Sequence, residues 1–264
     1  MEIVAIIPAR FGAARLPGKP LLDLCGKPLI QHTYERASRA RNVSRVIVAT
    51  DDARISEAVR AFGGEVVMTS SEHPTGTDRI AEVARDLDCD YVVNVQGDEA
   101  LIDPRMIEQV IEATTAREDA VMGTAARSIR ALKRFRDPMV VKVVVSSRGF
   151  ALYFSRSPIP FVRDASKEEL ASPDVLRHFL EHIGLYVYRR DFLLQFIRMP
   201  QSPLEKLEKL EQLRILENGY PIAVVQTEYF AFGIDTPEDL EEARRMSNEK
   251  KGRDQGAGAI VSDP

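Results

Sequence analysis

The apolar positions of this chain follow two rhythms. Ile3-Val4-Ala5-Ile6-Ile7, Arg45-Val46-Ile47-Val48-Ala49, Glu65-Val66-Val67-Met68 and Tyr91-Val92-Val93-Asn94-Val95 are short, nearly continuous runs rich in β-branched residues. Such runs read as strands buried on both faces, as in a parallel sheet. Between them the apolar residues take helical spacing. The pattern predicts helices over residues 28–37, from a Thr50-Asp51-Asp52 cap to about 62, and over 80–86, with Gly63-Gly64 ending the second. This alternation predicts parallel strands joined by right-handed crossovers.

After a helix at 104–115 and a strand at 120–125 the rhythm changes. Residues 140–145 and 151–156 flank a turn at Ser147-Arg148-Gly149 and read as a β-hairpin. The expectation is an α/β fold with a mixed, mostly parallel sheet and an antiparallel insertion at about 138–200. Residues 163–176 are polar and acidic, with Pro173, and read as a mobile excursion. Ser202-Pro203-Leu204-Glu205 opens a helix in which Leu207, Leu210, Leu213 and Leu216 form a core stripe. A late strand at 222–225 follows, then a last helix with Thr236 as N-cap and Pro237 at its first position. Apolar content falls away after Asn248, so 1–248 reads as a single domain and 249–264 as a disordered tail.

Composition narrows the function. A chain of 264 residues, 44% hydrophobic and 29% charged, suits one large α/β domain. Its net charge of -4 argues against a general nucleic-acid binder. The cations gather instead near the first loop, which suits a small anionic ligand. Cys25 and Cys89 are spaced neither as a metal knuckle nor as a redox pair, and read as reduced thiols. His178 and His182 lie four apart but lack a third ligand, so zinc is not expected. No apolar run approaches the roughly 20 residues that span a bilayer. The N-terminus enters a strand directly, without a signal-peptide pattern, and the chain is expected to be cytoplasmic.

Three stretches carry candidate chemistry. The first is Ala9-Arg10-Phe11-Gly12-Ala13-Ala14-Arg15-Leu16-Pro17-Gly18-Lys19-Pro20. Its small residues let backbone N–H groups approach an anion, and Arg10, Arg15 and Lys19 supply charge for a phosphate chain. It fits neither the P-loop nor the dinucleotide pattern, which disfavours an ordinary ATPase or dehydrogenase. The second is His73-Pro74-Thr75-Gly76-Thr77-Asp78-Arg79, either a turn that reads a base edge or simply the capped start of a helix. The third is Gln96-Gly97-Asp98-Glu99, just past a buried strand. A carboxylate there lies on the ligand edge of the sheet. Asp98 is therefore a candidate Mg²⁺ ligand, or else a cap for the next helix. Gly97 permits close approach of a neighbour.

Ile7-Pro8-Ala9-Arg10, continuing to Arg15-Leu16-Pro17-Gly18-Lys19-Pro20-Leu21, resembles the signature of sugar-acid cytidylyltransferases. Its wording is most similar to the 3-deoxy-manno-octulosonate (Kdo) cytidylyltransferase family, and the resemblance extends over about residues 2–246. It implies a Rossmann-like nucleotidyltransferase fold of the nucleotide-diphospho-sugar transferase type. It implies transfer of CMP from CTP to the anomeric hydroxyl of Kdo, with release of diphosphate, for lipopolysaccharide biosynthesis. By the same resemblance CTP would meet Ala9, Arg10, Arg15, Lys19, Thr75, Gly76, Arg79 and Gln96. The sugar acid would meet Gln96, Arg156, His182, Tyr186, Glu205 and Gln212. Asp98 and Asp235 would hold Mg²⁺, and with Lys19 and Arg15 would form the catalytic set. A homodimer is implied as well. The family's Gln-Gly-Asp-Glu-Pro wording breaks at Ala100, which bears on loop rigidity. The rival expectations are another acidic sugar, such as 8-amino-Kdo or sialic acid, and a catalytically silent nucleotide-binding regulator. Retention of Lys19, Asp98 and Asp235 argues against the regulator.

Overall fold

Every residue of strand β1 (Ile3–Ala9) is buried, and the sheet grows outward from it. The structure is a computed structural model that describes residues 1–12 and 16–257, with side chains through 248. After β1 come a 3₁₀ turn (Lys19–Leu21), a small ribbon of β2 (Asp23–Leu24) and β3 (Lys27–Pro28), then α1 (Leu29–Ala37), β4 (Arg45–Thr50), α2 (Ala53–Ala61) and β5 (Glu65–Met68). Next are α3 (Gly76–Arg85), β6 (Tyr91–Val95), α4 (Pro104–Thr115), β7 (Met122–Ser128), α5 (Leu132–Arg136), β8 (Lys142–Val145) and β9 (Ala151–Ser155). The chain continues through α6 (Lys167–Ala171), α7 (Pro173–Leu176), β10 (Leu180–Arg189), α8 (Arg190–Phe196), α9 (Pro203–Glu208), α10 (Gln212–Glu217), β11 (Ile222–Gln226) and α11 (Pro237–Ala257).

The main sheet runs β11-β7-β10-β6-β1-β4-β5. β1 is parallel to β4 and β6, β4 to β5, and β7 to β11. Along β1, Val4 and Ile6 enter one core cluster while Ile3, Ala5 and Ile7 enter the other. Both faces are covered, which is why the strand sequences are continuous rather than alternating. Full burial of each Val or Ile side chain here stabilises the fold by about 1.5–3 kcal/mol.

The antiparallel part is built into this sheet. β10 lies between β6 and β7, antiparallel to both, and carries the β8–β9 hairpin on its first residues. The segment expected to be an insertion thus supplies a central strand. β10 has a register shift between Ile183 and Tyr186, around Gly184.

Three other expectations change. The helix opening at Pro203 is two helices, because Lys209 adopts a left-handed conformation, φ 54°. The break turns Leu207 out to 79% exposure, while Leu210 and Leu213 stay buried. The 163–176 excursion contains α6 and α7, each capped by a serine (Ser166 and Ser172), with Leu176 buried beneath. α11 keeps a helical backbone to Ala257, into the stretch expected to be tail, and residues 258–264 lie outside the described residues. Asp103, not Asp98, caps α4: its carboxylate accepts from the Arg105 N–H at 3.0 Å. That leaves Asp98 available for another task.

Candidate active site

The ends of β1 and β6 meet the start of α3 at Pro8. A Cβ on Gly97 would lie 3.0 Å from the Pro8 carbonyl oxygen, and one on Gly76 3.3 Å from its ring. Glycine at both positions lets the 96–99 loop and the helix start close around the strand end. They border a cavity of about 320 Å³ lined by Arg10, Lys19, Thr75, Gly76, Gln96 and Asp98, among others. Ala9 is buried at the end of β1. Arg10 donates to the carbonyls of His73 at 2.7 Å and Pro74 at 3.3 Å, which ties the first loop to the loop before α3. Arg15 lies outside the described residues.

The charged centre of the site is Lys19. Its Nζ donates to Asp98 Oδ2 at 2.7 Å and to Asp235 Oδ1 at 2.9 Å. Burial disfavours the ammonium, but the two carboxylates outweigh it and hold the Lys19 pKa above its ordinary value. Asp98 follows β6 and Asp235 precedes α11. The Ile234 N–H donates to the Asp98 carbonyl at 3.2 Å and joins the two segments. Asp239 fixes the second from the other side, accepting from the N–H groups of Asp235 at 3.0 Å and Thr236 at 2.9 Å. Burial, reinforced by Asp98, pushes the neighbouring Glu99 carboxyl up to about 7.

The Thr75 segment is a capped helix start. The Thr75 hydroxyl accepts from the Asp78 N–H at 3.2 Å and donates to the Asp78 carboxylate at 2.7 Å. Thr77 is buried and donates to Glu211 Oε2 at 2.7 Å. Both hydroxyls are engaged within the protein, so a base edge would be read here by backbone groups.

Thr77 leads to a second group of side chains, on β10 and at the start of α10. His182 and Tyr186 stand on β10, with ring centroids 5.4 Å apart. The His182 Nε2 pairs with the Thr124 hydroxyl at 2.9 Å, and Phe154 meets the imidazole edge-on at 5.0 Å. Burial pushes His182 down to about 3, so the ring is neutral at neutral pH. Burial, then Glu211, pushes the Tyr186 phenol up and keeps it protonated. The Glu211 carboxyl is itself raised by burial. Gln212 is buried, and its Nε2 has no hydrogen-bond partner among the described residues. Gln96 lies between the cavity and this group. It donates to Asn94 Oδ1 at 2.7 Å, and its stem lies 4.0 Å from where a Cβ on Gly184 would sit. Glu211 was absent from the expected site. Its one signal was its place beside Gln212.

Three expected residues have hydrogen-bond or ion-pair partners within the protein. Glu205 accepts from the Ser202 N–H at 3.1 Å and pairs with Arg214 through two bonds, 2.7 Å to Nε and 2.5 Å to Nη2. It caps α9 and anchors a buried guanidinium, so its carboxylate is occupied within the protein. Arg79 is fully buried, with Nη2 3.0 Å from Asp51 Oδ2 and Nη1 bonded to Thr69. It braces β4 and the loop after β5 from beneath and does not line the cavity. Arg156 donates to the carbonyls of Glu208 at 2.7 Å and Pro138 at 3.1 Å.

An anion-ready loop after the first strand, with paired carboxylates at neighbouring element ends, defines the class as an α/β nucleotidyltransferase. A cytidylyltransferase family model matches residues 4–227. The chain belongs to the 3-deoxy-manno-octulosonate cytidylyltransferase family. A protein of that name from Trichlorobacter lovleyi is 57% identical over 247 residues, covering 92% of this chain and 98% of the relative. Another from Geobacter sulfurreducens is 56% identical over 245 residues, 91% and 97% of the two chains. A solved structure of a CMP:2-keto-3-deoxy-manno-octonic acid synthetase complexed with CTP matches with a TM-score of 0.87 at 43% identity, covering 95% of this chain and 100% of that one. Cytidylyltransferases of this kind generally use a divalent metal. No group of three or more His, Cys, Asp or Glu gathers as a ready metal site among the described residues. No helix among them is long and apolar enough to cross a membrane.

Proposed function

We propose that this chain transfers CMP from CTP to the anomeric hydroxyl of Kdo and releases diphosphate. The observation that carries the reading is the Lys19–Asp98–Asp235 cluster beside the first loop. Two part-exposed carboxylates that share one ammonium fit a small hard cation completed by triphosphate oxygens, which favours Mg²⁺. Bound there, Mg²⁺ would offset phosphate charge and acidify the attacking hydroxyl. Arg10, Arg15 and Lys19 hold the triphosphate and steady the charge of the departing diphosphate. Backbone groups around Thr75 and Gly76 meet the cytosine.

The side chains on β10 and at the start of α10 take the sugar acid. Neutral His182, protonated Tyr186, Gln212 and Glu211 offer fixed hydrogen-bonding partners for its hydroxyls, with Gln96 at the junction. Arg156 answers the sugar carboxylate, its guanidinium held by the carbonyls of Glu208 and Pro138. The sugar's anomeric oxygen forms a bond to the α-phosphorus as the bond to diphosphate breaks, and the hydroxyl proton leaves to solvent. Binding geometry supplies most of the acceleration. The enzyme acts in the cytoplasm, on the route to lipopolysaccharide.

A panel of sugar acids with CTP, read by diphosphate release, tests the assignment. Kdo should be used best. Equal turnover of sialic acid or 8-amino-Kdo overturns the sugar, and equal use of ATP overturns the nucleotide. The chain is a homodimer in this reading. Leu152 on β9, Met139 and Phe161 are exposed apolar side chains, and β9 pairs with no strand but β8 among the described residues. Sedimentation of the parent and of Leu152→Asp checks this, and a parent that sediments as a monomer removes it.

A further inference from the structure

We infer that Lys19 is an internal competitor for the divalent cation: its ammonium and the metal claim the same oxygens of Asp98 and Asp235, and the triphosphate decides between them. The inference rests on the reading above that these carboxylates hold the metal.

The geometry is specific. Lys19 Nζ sits 2.7 Å from Asp98 Oδ2 and 2.9 Å from Asp235 Oδ1, with the Lys19 side chain only 12% exposed. Mg²⁺ binds its ligand oxygens at about 2.0–2.1 Å, so an ion held by both of these oxygens must enter the space that the ammonium now occupies. Two positive charges cannot share that space at low cost, because the repulsion is strongest where water is excluded. One of them must leave.

Lys19 is built to be the one that moves. Its backbone is fixed: the Gly18 N–H donates to the Phe11 carbonyl at 2.9 Å, and the Leu21 N–H to the Gly18 carbonyl at 2.8 Å. Gly18 takes the left-handed conformation, φ 68°, that starts the 3₁₀ turn. Any movement is therefore a swing of the four-carbon stem. The adjoining cavity is where such a swing leads. Asp98 is the only carboxylate among the described residues that line it. The ammonium thus has no second anionic partner there until a ligand brings one. A triphosphate in that cavity supplies it, and the carboxylates are released to the metal. Nucleotide then raises metal affinity, and by linkage metal raises nucleotide affinity by the same factor.

Titration of the full-length protein with Mn²⁺, counting free metal by electron paramagnetic resonance, tests the competition without turnover. In the absence of nucleotide, Lys19→Met should bind Mn²⁺ at least about tenfold more tightly than the parent, as expected on removing a neighbouring unit charge. Lys19→Gln, close in size and still polar, should show the same gain, and a melting curve confirms that both variants fold. The double variant Lys19→Met/Asp98→Asn should lose the gain. With CTP added, and metal bound to free CTP subtracted, the parent should gain more affinity than Lys19→Met. Unchanged or weaker Mn²⁺ binding in both single variants overturns the inference, as does a gain that survives Asp98→Asn or an equal response to CTP. No sugar is present, so failure here leaves the sugar-acid assay standing, and failure of that assay leaves this titration interpretable.

Discussion

The loop end of the cleft and the β10 end are built differently. At the first, charge dominates: Lys19 faces two carboxylates that are 30% and 46% exposed, on segments between elements. At the second, burial dominates. His182 and Tyr186 stand on a central strand, and burial holds both neutral. A reaction that moves phosphate charge needs partners that can rearrange as charge shifts, and loops allow that. Recognition of a polyhydroxylated sugar needs donors and acceptors that do not move, and a strand flanked on both sides supplies those. Loss of charge should therefore cripple the first end with little change in stability. Changes at the second should alter recognition or folding.

The largest effect is expected for Asp98→Asn. It should lower kcat by roughly 10²–10³ or more, by analogy with other electrostatic stabilisers of a transition state. Melting temperature should barely move, since part-exposed ion pairs contribute about 0–1 kcal/mol. Near-normal turnover at limiting Mg²⁺ would remove Asp98 from the metal site. A large drop in stability would erase the contrast between the two ends.

Next is Glu205→Ala, which removes a carboxylate paired with a buried arginine. It leaves Arg214 buried without its carboxylate, a change that typically costs about 3–5 kcal/mol. Chemical denaturation should register that loss, while the KM for the sugar acid stays unchanged in protein that remains folded. A raised KM with unchanged stability would return Glu205 to the sugar.

These two carboxylates show what the sequence could reveal. The first loop is contiguous, so its small residues and cations could be read from the sequence as a candidate anion site. Asp98 was legible as a carboxylate at a strand end, whereas Asp235 entered only through the family resemblance. Glu205 sits in a Ser-x-x-Glu pattern that suits a helix cap, and its family resemblance hid that local role. That Glu211 rather than Glu205 lies beside Thr77 and Tyr186 depends on the break at Lys209. A non-glycine residue at positive φ carries no reliable sequence signal. β10 was hidden for another reason. Gly184 interrupts its pattern, and only its partners on both sides identify it as a central strand.

Glu211→Gln should have a smaller effect, about tenfold on the sugar KM, in line with one weakened hydrogen bond to a charged or polar partner. The KM for CTP should stay put, although Thr77 joins Glu211 to the helix that borders the nucleotide cavity. If both KM values rise together, the two ends are coupled through that bond and the contrast drawn above is too sharp.

His182 gives a pH test with a defined sign. Its pKa falls from 6.5 to about 3 in the folded protein. Above 6.5 both folded and unfolded chains carry neutral imidazole. Between 6.5 and about 3 only the unfolded chain takes the proton, so acid withdraws stability at up to about 1.4 kcal/mol per pH unit. The His182 ring resonances should therefore not titrate between pH 8 and 5. His182→Gln should lose less stability than the parent over the same range. A midpoint near 6.5 would show an accessible, chargeable ring in wetter surroundings.

The smallest effect concerns Ala100, where the family's proline is missing. Ala100 is fully buried among Leu24, Leu29, Leu101 and Ile234, directly after the loop that carries Asp98. Its N–H has no acceptor among the described residues. The loop is already held without a proline ring: the Glu99 N–H donates to the Gln96 carbonyl at 3.0 Å and the Ile102 N–H to the Glu99 carbonyl at 3.1 Å. Ala100→Pro therefore removes no hydrogen bond and restricts the unfolded chain, a gain of about 0.4–1 kcal/mol where the backbone accepts it. kcat should stay within about threefold of the parent, because Asp98 keeps its tie to Ile234 and its partner Lys19. A fall in kcat beyond about tenfold without loss of stability would mean that the loop must flex during the reaction. The rearrangement assigned to Lys19 alone would then extend to the backbone that carries the first carboxylate.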